Sequence, residues 1–232
     1  MISVFILLAG KSSRFGGATP KQFLKIKNKY IFEYSLETFD SIKNINEISL
    51  VVDGEHFAFL TKFISQKTYN HNINIILGGN TRQESVYNSL KTLQNSTISS
   101  KIVLFHDACR PLIRKREINE LIESLKDNDA ASIAVPLIDS LCKAENSYIK
   151  EPIKRENLYQ LQTPQGFKFD IIYKAHLEAA QSKDFSFTDD TSILASKGIK
   201  IKLIKGSVYN FKITTKDDLV LFENIVGDFD FD

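Results

Sequence analysis

Residues 2–9 (ISVFILLA) form an almost unbroken run of aliphatic and β-branched side chains, the pattern of a strand buried on both faces. Similar short runs at Glu47–Val52, Ile73–Leu77, 101–105, 130–135 and 200–204 predict further strands. Between them, apolar residues recur at helical spacing. They predict helices over 31–39, 55–66, 82–93, 117–126, 169–180, 191–196 and 217–225. In the third of these Val86, Leu90 and Leu93 share one face, and Asn80 is the expected cap.

Strands alternating with helices of this length predict repeated βαβ units. The fold class is therefore α/β, with a mostly parallel sheet covered by helices on both sides. Ligands of such sheets sit beyond the carboxyl ends of the strands, which singles out the loops after Ala9, Leu77 and Phe105. The alternation breaks between Ile138 and Gln162, where charged residues and Pro152 surround short alternating pieces. An extended arm or hairpin is predicted there, at roughly 138–160, within a single domain spanning 1–232. The acidic end, residues 227–232 (GDFDFD), is predicted to fray.

At 232 residues, 43% of them hydrophobic, the chain can bury one sizeable core but hardly two independent ones. Thirty Lys and Arg against 28 Asp and Glu leave a formal charge of +2, so no broad field recruits nucleic acid or an anionic membrane. Cys109 and Cys142 are too few for a disulfide scaffold or a four-cysteine zinc site. Residues 1–9 are apolar but lack a basic leader and meet Gly10 too soon for a secretory signal. No stretch approaches the ~20 apolar residues of a membrane-spanning helix. A soluble, cytoplasmic protein is expected.

The first loop runs Ala9-Gly10-Lys11-Ser12-Ser13-Arg14-Phe15-Gly16-Gly17, followed by Pro20-Lys21-Gln22. Its glycines let backbone N–H groups approach an anion without Cβ atoms in the way. Arg14 and Lys21 add a planar fork and a mobile point charge. Together they suit a triphosphate. The loop is not a Walker A motif, which needs glycine where Phe5 stands, nor a dinucleotide fingerprint, which needs glycine at Ser12 and Phe15.

The second loop, residues 78–85 (GGNTRQES), joins a backbone suited to close approach to a helix start; alone it reads as a strand-to-helix turn. In the third, His106-Asp107-Ala108-Cys109-Arg110-Pro111, a carboxylate ends a buried strand beside the phosphate-type loop, where it is well placed to hold Mg²⁺. Arg110 can grip a second phosphate bidentately. His106 reads as a buried, hydrogen-bonded imidazole, and His56, His71 and His176 show no metal-ligand spacing. No Gly-x-Ser-x-Gly elbow marks a serine hydrolase.

Taken in order, LAGKSSRFG with TPKQF, GGNTRQESV, HDACRP, R-x-x-L-x-x-x-QTPQ-F, FTDD and NFKITTKDDL resemble the 2-C-methyl-D-erythritol 4-phosphate cytidylyltransferase family of the non-mevalonate isoprenoid pathway, over residues 4–219. The resemblance implies a Rossmann-like nucleotidyltransferase domain, a protruding arm used for homodimerisation, and Mg²⁺-dependent transfer of CMP from CTP to a sugar-alcohol phosphate. It implies that Arg14 and Lys21 grip the CTP phosphates and stabilise the transition state, with Lys212 a further catalytic cation. Asp107 would engage Mg²⁺ and the acceptor, while Ala9, Gly10, Lys11, Ser12, Gly79, Asn80 and Ser85 would bind the nucleotide. Arg110, Ser140, Arg155, Thr163 and Thr188 match acceptor- or phosphate-side positions, and the family supplies Arg155 and Thr163 from the partner subunit's arm.

Three positions depart from the family pattern. Ser140 stands where threonine is usual, with one residue inserted before Lys143; Cys109 replaces alanine; and Asn80 replaces a commonly acidic residue. Two other readings are a ribitol-5-phosphate cytidylyltransferase, which shares the CTP loop and the QTPQ feature, and a silent nucleotide-binding module. The latter would be expected to have lost Lys21, Asp107 or Lys212, and all three are present.

Overall fold

A computed structural model describes residues 1–10, 15–16, 19–96, 100–184 and 186–232. Its strands are β1 (Ile2–Leu7), β2 (Lys25–Ile26), β3 (Lys29–Tyr30), β4 (Glu47–Val52), β5 (Ile73–Leu77), β6 (Ile102–Asp107), β7 (Ala130–Pro136), β8 (Leu141–Glu145), β9 (Tyr148–Ile153), β10 (Tyr159–Lys168) and β11 (Lys202–Lys205). The helices are α1 (Ile31–Asp40), α2 (Gly54–Ser65), α3 (Arg82–Gln94), α4 (Lys115–Ser124), α5 (Phe169–Gln181), α6 (Asp190–Ala195) and α7 (Lys216–Ile225), with a 3₁₀ turn at Lys21–Phe23. None of the described helices is long and apolar enough to cross a membrane.

Seven strands make one sheet in the order β11-β7-β10-β6-β1-β4-β5, parallel except for β10, which runs against both neighbours. The alternation of side chains explains why β1 reads as continuously apolar. Val4, Ile6 and Leu8 pack toward α1, α2 and α4, whereas Phe5 faces α3, α5 and α6 and stacks on Phe105 at 5.2 Å. Full burial of each such side chain contributes on the order of 1.5–3 kcal/mol. In register, Leu7 lies beside Val51 on one side and Asp107 on the other, so β1 and β6 end together.

Three expectations need correction. Thr81, not Asn80, caps α3: its hydroxyl accepts the Glu84 N–H at 3.1 Å, and the Glu84 carboxylate accepts the N–H groups of Thr81 and Asn80. The acidic tail is docked rather than frayed. Phe231 stacks on Tyr34, Phe229 packs on Tyr209 and under the Arg114 guanidinium, and Lys115 N–H donates to the Phe231 carbonyl at 2.9 Å. Alternating acid and aromatic residues put the rings inward and the charges out.

The third correction concerns the arm. An exposed hairpin, β8 with β9, occupies 141–153, but residues 159–160 already belong to the central sheet, paired with Pro136 and Val135. Hydropathy does not mark β10 because it buries Gln162, Thr163 and Gln165. Pro164 falls within a break of register between Leu161 and Gln165, the kind of position at which a strand accommodates proline.

Candidate active site

Where β1 and β6 end side by side, a cavity of about 300 Å³ opens, lined by Ala9 and Gly10 after β1, Lys21, Asn80 to Arg82, Ser85, Asp107 to Cys109, and Lys212. Lys21 reaches it from the 3₁₀ turn, which Gln22 ties to the first loop by donating to the carbonyls of Leu8 and Gly10. The glycines of the second loop bring α3 to the cavity wall. A Cβ on Gly79 would stand 2.3 Å from the Glu84 Cβ, and one on Gly78 2.8 Å from the Ala9 Cβ. Ser85 accepts the Gly79 N–H at 3.0 Å and so fixes this turn against its own helix.

Asp107 is the acidic side chain of that cavity. Lys212 Nζ donates to its Oδ2 at 2.7 Å and Arg82 Nε to its Oδ1 at 3.2 Å. Burial by itself would raise the carboxyl pKa, but Lys212, Arg82 and Arg110 outweigh it and hold Asp107 well below the usual carboxylate range. Arg82 continues the chain of charges: its Nη1 donates to Asp190 Oδ2 at 2.8 Å, and Asp190 Oδ1 lies 3.1 Å from His176 Nε2. Asp190 is 1% exposed. Burial opposes its ionisation, yet Arg82 and His176 keep it low as well.

Behind Asp107, Thr163 and His106 fix the backbone. His106 Nε2 faces the Arg110 carbonyl at 3.0 Å, which requires the proton on that nitrogen. Nδ1 is then an acceptor for the Thr163 hydroxyl at 3.3 Å, and the hydroxyl oxygen accepts the Asp107 N–H at 3.0 Å. Burial lowers the His106 pKa to about 4, so the ring is neutral in this role at pH 7. Lys212 is held by its loop. Buried Asn210 donates to the Thr163 carbonyl at 2.9 Å, and Ile213 N–H to the Cys109 carbonyl at 2.8 Å. The Cys109 thiol, pushed up to about 11 by burial, is a protonated wall of the cavity rather than a nucleophile.

The structure thus gathers Lys21, Asp107, Lys212, Ala9, Gly10, Asn80 and Ser85 into one cavity. Lys11, Ser12 and Arg14 lie outside the described residues. Gly79 borders an adjoining depression with Asp53 and Glu84. Arg110 lines a second cavity of about 280 Å³ that shares Lys212 with the first. Its Nη1 donates to the Asn210 carbonyl at 2.7 Å, while its buried Nε has no partner among the described residues. Thr188 is exposed two residues before Asp190.

Ser140, Arg155 and Thr163 line neither of these cavities in their own chain. Ser140 and Arg155 are exposed at the base of the hairpin, with Arg155 donating to the Ile138 carbonyl. Thr163 is not on the arm at all: it is 5% exposed inside the central sheet, and its hydroxyl is committed to Asp107 and His106. Arg82, Asp190 and His176 belong to the site although no sequence pattern assigns them to it. Arg82 and Asp190 lie within GGNTRQESV and FTDD, but no spacing rule pairs residues 108 positions apart.

For a metal, the donor chemistry fits Mg²⁺ at Asp107. Each carboxylate oxygen accepts one hydrogen bond, which leaves a lone pair on each, and Mg²⁺ favours one or two carboxylates completed by phosphate oxygens. Among the described residues Asp53, Glu55 and His56 also approach one another. There Asp53 caps α2 by accepting the His56 N–H, and the His56 ring stacks on Phe23, which is a structural use of both side chains.

A family model described as IspD: 2-C-methyl-D-erythritol 4-phosphate cytidylyltransferase matches residues 2–228. The chain is 35% identical over 216 residues to the protein of that name from Thermotoga neapolitana, spanning 93% of this chain and 92% of the relative. It is 38% identical to that from Alkaliphilus oremlandii, spanning 97% and 94%. A crystal structure of 4-diphosphocytidyl-2C-methyl-D-erythritol synthase from Anaerococcus prevotii superposes with a TM-score of 0.81 at 26% identity, covering 96% of both chains. With matches of this extent, the chain belongs to the 2-C-methyl-D-erythritol 4-phosphate cytidylyltransferase family.

Proposed function

We propose that the cavity at the ends of β1 and β6 is where this chain carries out its family's reaction, transfer of CMP from CTP to 2-C-methyl-D-erythritol 4-phosphate. A phosphate oxygen of the acceptor bonds to the α-phosphorus of CTP, the bond from that phosphorus to the bridging oxygen breaks, and pyrophosphate leaves with the electron pair. No protein nucleophile is needed; positioning and electrostatic stabilisation do the work. Lys21 and Lys212 meet the charge that develops on the phosphate oxygens, joined by Arg14, and each preorganised contact of this kind is worth ~3–4 kcal/mol.

Asp107 is the residue that would hold Mg²⁺. When bound, the ion neutralises and orients phosphate oxygens. The rigid setting of Asp107, with its N–H on Thr163 and its carboxylate between Lys212 and Arg82, keeps that carboxylate aimed into the cavity. Ala9, Gly10, Lys11, Ser12, Gly79, Asn80 and Ser85 bind the nucleotide, and Arg110 with Thr188 faces the acceptor. The Arg110 Nε, buried with no partner among the described residues, and the second cavity, which Arg110 shares with Lys212, support that role.

A homodimer through the hairpin belongs to the same reading, with Ser140 and Arg155 completing the neighbouring subunit's acceptor site. Ile138, at the base of the hairpin, and Tyr148 and Ile149, beside its turn, are 68%, 78% and 76% exposed, apolar surface that a second copy can cover. A cytoplasmic location agrees with two unpaired cysteines.

The observation that carries the proposal is the convergence of Lys21, Asp107 and Lys212, from three separate segments, on one cavity. The purified chain, given CTP and Mg²⁺, should release pyrophosphate with 2-C-methyl-D-erythritol 4-phosphate and far less with ribitol 5-phosphate. Release with ribitol 5-phosphate alone would reassign the acceptor, and release with neither would overturn the reading.

A further inference from the structure

Asp107 is held by two cations of unlike character. Lys212 stands on a loop and is partly exposed, with one contact to Oδ2. Arg82 is the first residue of α3 and is tied at two points, Nε to Asp107 Oδ1 and Nη1 to Asp190 Oδ2. Asp190 is in turn fixed by His176 at its other oxygen, and both are buried. Two carboxylates and two cations balance in this wall. A triphosphate entering the cavity competes for the cations, and the single contact of Lys212 is the one that breaks at least cost.

We propose that Arg82, anchored by Asp190, is a positioning residue that keeps the Asp107 carboxylate aimed while Lys212 turns to the phosphates. This rests on the roles given above to Asp107 and Lys212. The anchor has a specific purpose: without Asp190, Arg82 is free to follow Lys212 onto the nucleotide. Ground-state binding of CTP would then be retained or tightened while Asp107 loses its aim. Asp190 touches no reacting group; it acts through Arg82.

The test uses the full chain and measures pyrophosphate release together with CTP binding by calorimetry. Asp190→Asn keeps the shape of the side chain, and should lower kcat by about tenfold or more with KM for CTP unchanged or reduced and one CTP still bound per site. Arg82→Ala should lose turnover and recover part of it on addition of millimolar guanidinium, but not of methylammonium. Should Arg82→Ala fail to fold, Asp190→Asn decides. Turnover of Asp190→Asn within about twofold of the parent, or a loss matched by an equal fall in CTP-binding stoichiometry, overturns the proposal. Lys21→Ala in the same assay separates the two readings: if it remains active, the assignment of the site fails, and if it is inactive while Asp190→Asn is not, only the positioning role fails.

Discussion

Lys212 Nζ donates to Asp107 Oδ2 at 2.7 Å across a separation of 105 residues. The pair exists because β6 ends at Asp107, while Asn210 and Ile213 pin the loop that follows β11 to Thr163 and Cys109. Two local facts, a strand end and a pinned loop, make one electrostatic fact. The catalytic consequences follow from it.

Removing either lysine should abolish charge stabilisation without unfolding the chain. Lys21→Ala or Lys212→Ala is expected to lower turnover at least ~100-fold, with the far-ultraviolet circular dichroism unchanged. Steady-state pyrophosphate release checks this, and near-parental turnover in either variant contradicts the assignment.

Thr163 is expected to matter for stability as well as rate, because its hydroxyl is the partner of a buried N–H. Thr163→Val leaves the Asp107 N–H without an acceptor, at a cost of about 1–3 kcal/mol in urea unfolding. Thr163→Ser restores the acceptor and should recover most of that loss.

Arg155 offers a test of the dimer. If it serves the neighbouring subunit, mixing inactive Arg155→Ala with inactive Lys21→Ala chains assembles some sites with both residues intact. Activity should reappear on subunit exchange. Verified exchange with no recovery means that each site is built within one chain.

Stability should depend on pH in two windows. His106 titrates near 4 when folded and near 6.5 when unfolded, so the unfolded chain binds the extra proton between these values. Stability therefore rises with pH across that range, by at most ~1.4 kcal/mol per pH unit for this one group, and His106→Gln should flatten the slope. Asp107 and Asp190 have depressed folded pKa values, so their contribution is present above about pH 4 and is lost as the medium becomes more acidic. Asp190→Asn should weaken that acid limb. Urea titrations at a series of pH values measure both.

The cap of α3 gives a local check. Thr81→Ala should cost about 1 kcal/mol of stability, whereas Asn80→Ala, at a residue that offers Glu84 only its backbone N–H, should cost little. Equal losses would return the capping role to Asn80.

Much of this molecule was legible along the chain. The strands Glu47–Val52 and Ile73–Leu77 have the bounds expected from the sequence, because each is a short, mostly β-branched and aliphatic run closed by polar residues or glycine. Lys21 and Asp107 stood out as charges beside glycines or at a strand end. Strand β10 was less legible. Its buried Gln162, Thr163 and Gln165 make side-chain hydrogen bonds to Ser207, Asp107 and Asp189, all distant in sequence, so its hydropathy resembles that of a loop. The docked tail escaped notice for a related reason: Phe229 and Phe231 find Tyr209 and Tyr34 only after the chain has closed on itself.

By itself the sequence determined the α/β alternation, the three loops at the strand ends and the family. These depend on short-range periodicity and on side-chain types at fixed local spacing. Only the tertiary structure decided that Arg82 stands between Asp107 and Asp190, and that Thr163 supports the site from within the sheet. Hydrogen bonds and ion pairs act over about 3 Å of space, whatever the distance along the chain. Such pairings exist only once the sheet has set which strand ends are neighbours.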